Sequence, residues 1–93
     1  MKIPKTIKIG GHNVEIRQDD KVMRDRGNHG ASQCNDLWIE LDNTTPETQQ
    51  ASTLLHEILE QVNYLYEIGL EHRQITLLES TLYQVLKDNE LRF

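Results

Sequence analysis

Residues 6–17 read Thr-Ile-Lys-Ile-Gly-Gly-His-Asn-Val-Glu-Ile-Arg, with apolar and polar positions alternating on either side of Gly10-Gly11. A period of two puts Ile7 and Ile9 on one face of a first strand and Val14 and Ile16 on one face of a second, and the Gly-Gly step predicts a β-hairpin between them. The alternation lapses over residues 18–35, which are rich in Asp, Arg, Gly and Asn and carry Val22 and Met23 as their bulky apolar pair. A long loop or an irregular edge strand is expected there. Alternation returns in Asp36-Leu37-Trp38-Ile39-Glu40-Leu41-Asp42, a third strand with Leu37, Ile39 and Leu41 on one face and Trp38 on the other.

From Thr45-Pro46-Glu47 onward the period changes to that of a helix. Thr45 suits a cap, Pro46 the first helical position and Glu47 the positive helix end. Ala51, Leu54, Leu55, Ile58, Val62, Leu65 and Tyr66 form one stripe, predicting a helix over residues 46–68 that Gly69 closes. A second helix is expected over residues 71–88, with Ile75, Leu78, Leu82, Val85 and Leu86 on its apolar face, and the short turn makes the two helices antiparallel. Strands followed by helices give an α+β fold: a small antiparallel sheet, made of a hairpin plus an edge strand, packed against an antiparallel pair of helices in a single domain over residues 1–93.

Composition narrows the function classes. Ninety-three residues, 37% of them hydrophobic, hold one core and a shallow cleft, which excludes a two-domain enzyme closing on a large cofactor. Ten Lys and Arg stand against 15 Asp and Glu, a formal charge of -5 without a dense basic block, so nucleic acid is not an expected partner. Cys34, the single cysteine, cannot make an intrachain disulfide and fits a reducing compartment, so a cytoplasmic location is expected. Residues 1–11 alternate Lys with Ile rather than forming a signal-peptide run, and no segment approaches the roughly 20 apolar residues of a membrane span.

The string richest in chemistry is Thr53-Leu54-Leu55-His56-Glu57-Ile58-Leu59-Glu60. His56 and Glu60, four residues apart, share a helical face, and Glu57 is displaced by about 100° around the helix. A histidine at position 60 would complete H-E-x-x-H, in which two imidazoles bind Zn²⁺ and the glutamate acts as base; the chain has H-E-x-x-E instead. A solvated polar face carrying Glu57, Glu60 and Glu67 is the alternative. Glu79, at the edge of the second helix's apolar arc, is an ionisable group that needs a partner on burial, and a metal ion, Arg73, Lys87 or a helix-end amide would each serve. His72 lies near Glu79 on the wheel and is an auxiliary candidate for the missing imidazole, and Tyr83, one turn beyond Glu79, is an auxiliary candidate for stabilising an oxyanion. His29 sits in a loop that could approach such a site. His12 is expected to be solvated at the hairpin turn, and Cys34 to be a structural or exposed thiol.

The order of hairpin, glycine-containing loop, strand Leu37-Trp38-Ile39-Glu40-Leu41, Pro46-Glu47 helix start, Leu54-Leu55-His56-Glu57 and Leu78-Glu79 resembles the minimal zincin-like metallopeptidases of phages and mobile elements, related to the ImmA/IrrE group. The likeness covers residues 30–89. It implies His56 as first metal ligand, Glu57 as general base and Glu79 as third ligand, with Glu60 in the second-ligand position. It further implies Zn²⁺ as cofactor, a peptide or protein substrate laid along the strand over residues 37–41, and a phage or prophage source, hence the cytoplasm of a bacterial host. One imidazole with two carboxylates also admits Mn²⁺, Mg²⁺ or Ca²⁺. Three functions fit these residues: a metal-dependent peptidase or other hydrolase, a catalytically inactive zincin-fold protein that binds a host or phage protein, and a small assembly module, monomer or homodimer.

Overall fold

The computed structural model describes residues 2–92 and is α+β, with a four-stranded sheet and two long helices. β1 (Thr6–Ile9) and β2 (His12–Asp19) form the expected antiparallel hairpin, Ile7 opposite Val14 and Ile9 opposite His12. Gly10 and Gly11 take φ of 57° and 80°, the left-handed region that a two-residue hairpin turn requires.

The sheet departs from expectation in two ways. β2 pairs in parallel with β4 (Trp38–Asp42), from Glu15 against Trp38 to Asp19 against Asp42, so the sheet is mixed rather than antiparallel. β4 is also not an edge: β3 (Gly30–Gln33) pairs antiparallel with its other side, giving the order β1-β2-β4-β3. The physical reason lies in the side chains. Ile39 and Leu41 of β4 are fully buried and belong in the middle of a sheet, whereas Gly-Ala-Ser-Gln has no bulky residue to reveal β3 by alternation. Before β3, residues expected to be irregular form one short helix, α1 (Val22–Arg26), anchored by buried Val22.

α2 (Glu47–Leu65) lies on the sheet, and Leu54 completes a core with Ile9, Val14, Ile16, Ile39 and Leu41. Each such burial contributes roughly 1.5–3 kcal/mol. The helix is shorter than its periodicity suggests at both ends. Pro46 takes the cap position, and the Thr45 hydroxyl donates to the Asp42 carbonyl oxygen instead of capping. At the far end, Glu67 and Gly69 adopt φ of 50° and 83°, and the Asn63 side chain bridges the reversal by accepting from the Leu70 N–H at 2.8 Å and donating to its carbonyl at 3.1 Å. α3 (His72–Asp88) then starts with the Glu71 N–H donating to Gln74 Oε1 at 2.8 Å. Ser52 meets Glu79 and Glu60 meets His72, so the two helices are antiparallel as expected. α3 packs on α2 and buries Ile75, but Leu78, Leu82 and Val85 of its apolar stripe stay 39–43% exposed. Among the described residues no helix is long and apolar enough to cross a membrane.

Two contacts hold these layers in register. A Cβ at Gly30 would run into Thr53 Cγ2 and lie 3.3 Å from the Glu40 carbonyl oxygen, so with threonine at position 53 the contact of α2 with β3 requires glycine. At the end of β4, buried Asp42 accepts hydrogen bonds from the Thr44 hydroxyl, the Thr44 N–H and the Met23 N–H, tying β4 to α1 and to the turn before α2.

Gly30→Ala should cost about 1–3 kcal/mol in urea unfolding through overpacking, and adding Thr53→Ser, which removes the obstructing methyl, should recover most of the loss. The Thr44 hydroxyl first, then the Thr44 and Met23 N–H groups, hold the Asp42 carboxyl below its ordinary range. A depressed folded-state pKa supplies stability above the unfolded value, about 3.9, that disappears as pH falls through the folded one. Asp42→Asn should therefore unfold more readily than the parent at pH 7 and converge with it at strongly acid pH, as followed by circular dichroism.

Candidate metal centre

The close approach at Gly30 sets the position of everything in the cleft. With no side chain on that residue, Thr53 and Glu57 lie directly over β3, and the four-residue spacing carries His56 and Glu60 on the neighbouring flank, facing α3. The result is an open cleft of about 520 Å³ with Ala31 and Ser32 of edge strand β3 on one side, His56, Glu57 and Glu60 of α2 as its floor, and His72 and Glu79 of α3 opposite. Arg26, Asn28 and His29 form its rim.

Glu60 stands between two imidazoles. Its Oε1 is 3.4 Å from His56 Nε2 and 3.4 Å from His72 Nδ1, and the rings of His56 and His72 meet edge-on with centroids 5.3 Å apart. The three ligand atoms all lie within 4.8 Å of one another. Donor atoms bonded at about 2.0–2.1 Å to one tetrahedral ion stand roughly 3.3–3.4 Å apart, so the Glu60 contacts match the spacing a cation would require. Two nitrogens and one carboxylate oxygen are also a chemically suitable donor set. His56, Glu60 and His72 therefore form a group able to hold a metal ion. When an imidazole is protonated, the same contacts serve as ion pairs.

A scan against protein-family models, a search of curated proteins and a search of solved structures return no match.

The candidates read from sequence are distributed unevenly. His56 and Glu60 join the ligand group, and His72, expected only as an auxiliary, supplies its second imidazole from a side chain that is 78% exposed at the cleft mouth. Glu79 is not in that group. It sits 3.7 Å from His56 Nδ1, the nitrogen turned away from Glu60, while its other oxygen accepts from the Ser52 hydroxyl at 2.7 Å. Tyr83 lines a separate groove with Ala51 and Lys87, away from the cleft. His29 reaches the rim, and His12 is exposed at the hairpin.

Glu57 is buried, unlike an ordinary residue of a solvated helix face, and burial pushes its carboxyl up. A hydrogen bond from Ser32 and the nearby His56 oppose that shift. Ser32 was not legible as a site residue because its strand was not. Cys34 is half-buried just beyond β3, and burial together with Glu60 and Glu57 pushes its thiol up, which disfavours the thiolate a nucleophile needs.

A carboxyl whose folded pKa is raised contributes most stability below its unfolded value, about 4.3 for Glu, and that contribution is lost as pH rises toward the folded value. In chelator-treated protein, Glu57→Gln should consequently melt at a higher temperature than the parent at pH 7, with the difference vanishing near pH 3. Scanning calorimetry at the two pH values checks this.

Proposed function

We propose that this chain is a metal-dependent hydrolase of zincin-like character that acts on extended peptide segments, with His56, Glu60 and His72 holding Zn²⁺ and Glu57 as the general base. The convergence of three ligand atoms from two helices beside a buried carboxyl carries this reading. His72 also answers the main objection raised by H-E-x-x-E. Its imidazole restores a donor set of two histidines and one glutamate, the composition found in catalytic zinc sites, although its order along the chain is different. The same set suits Fe²⁺, which metal analysis distinguishes.

When bound, a divalent cation supplies a positive charge that polarises a carbonyl and acidifies water. Glu57, its carboxyl already biased toward holding a proton, would accept one from a water in the cleft and pass it to the leaving amine. Ser32 orients the Glu57 carboxylate. β3 is an edge strand along the cleft, so an extended peptide adding to it would bring a backbone carbonyl past Glu57.

A second reading, assembly of two copies through α3, is favoured by the exposure of Leu78, Leu82 and Val85. A molar mass by light scattering that doubles with concentration supports it, and a constant monomer mass removes it.

Protein purified without chelator should contain about one equivalent of Zn²⁺, and its melting temperature should fall on chelation and recover on adding Zn²⁺. Glu57→Gln should keep the metal and lose about 10²–10⁴-fold in cleavage of an unfolded protein substrate. Metal-free protein with no stabilisation on titration would falsify the site; equal activity of Glu57→Gln would remove Glu57 as base.

A further inference from the structure

The second nitrogen of His56 also faces a carboxylate. Glu79 Oε1 lies 3.7 Å from His56 Nδ1, on the opposite side of the ring from Glu60. The other oxygen of Glu79, Oε2, accepts from the Ser52 hydroxyl at 2.7 Å, and Ser52 lies one turn before His56 on α2. Glu79 and His56 are 15% and 17% exposed, so their contact is shielded far better than the His72 side, where the imidazole is 78% exposed.

A neutral imidazole has one N–H and one lone pair. For His56 to present its Nε2 lone pair toward Glu60 and His72, its proton must reside on Nδ1, where Glu79 waits. The 3.7 Å separation is an ion-pair distance, longer than a hydrogen bond. We infer that Glu79 is a positioning residue, hydrogen-bonded by Ser52, that accepts a hydrogen bond from the His56 Nδ1–H and so fixes the tautomer and ring orientation in which His56 binds the metal. This rests on the metal-site reading above. α3 would thereby make two contributions seven residues apart: His72 as a ligand at its start, and Glu79 as the group orienting the ligand on the other helix. It also gives the partly buried Glu79 a partner without making it a ligand.

Zinc titration by calorimetry of the full chain and of Glu79→Gln, Glu79→Leu, Ser52→Ala and His72→Ala tests the assignment, with circular dichroism confirming folded protein. Glu79→Leu should weaken Zn²⁺ binding about 10–100-fold, Glu79→Gln, whose amide oxygen still accepts, should stay within about 3-fold of the parent, and Ser52→Ala should fall between them. In ¹⁵N-labelled, zinc-loaded protein the His56 Nδ1 proton should be visible in the parent and in Glu79→Gln and lost to exchange in Glu79→Leu. Glu79→Gln losing as much affinity as Glu79→Leu overturns the inference in favour of direct ligation by the carboxylate. Unchanged affinity in Glu79→Leu, with binding lost in His72→Ala, overturns this inference alone. A parent protein that binds no zinc overturns the metal site and the inference together.

Discussion

α2 rests on β3 at a point where even one methyl group is too many. A Cβ on Gly30 would meet the Thr53 methyl and approach the Glu40 carbonyl, so the helix and the strand are in close contact there. Over this contact Glu57 is out of solvent, and Ser32 on the strand beneath opposes the upward push that burial gives its carboxyl. The same seating leaves β3 as the wall of the cleft and turns His56 and Glu60 toward α3.

Electrostatics then gives the cleft its character. Glu57, Glu60 and Glu79 line a single opening, balanced by His56 and His72 and by Arg26 at the rim, where it forks onto Glu40. Two imidazoles, with an Arg26 already forked onto Glu40, answer only part of the charge that three carboxylates bring to one cleft. A divalent cation between Glu60 and the two rings would supply the rest, and would give the protein's acidic balance a local purpose. The cost is visible in Glu57, whose burial opposes ionisation. Such tension between stability and chemistry is common where a carboxylate is kept ready to take a proton.

Periodicity made much of this fold legible. The hairpin around Gly10-Gly11 and the two helices are written in alternation and in 3.6-residue stripes, and the His56, Glu57 and Glu60 cluster follows from spacing alone. β3 was hidden because Gly-Ala-Ser-Gln carries no bulky alternation, and its Gly30 is small for a packing reason that belongs to α2. The parallel pairing of β2 with β4 was hidden because a strand's own pattern does not name its neighbour. His72 is legible only as an auxiliary candidate near a helix start, and the register of α3 on α2 is what brings its Nδ1 to Glu60. The position of Glu79 at the edge of an apolar arc did signal that it needs a partner, but not that the partner is His56 together with Ser52.

The ligand set itself is the claim on which the rest turns, and X-ray absorption at the zinc edge of the loaded protein measures it directly. The account predicts scattering from two imidazoles and one carboxylate, with one imidazole lost in His72→Ala. Scattering from one imidazole and two carboxylates, unchanged in His72→Ala, would contradict it.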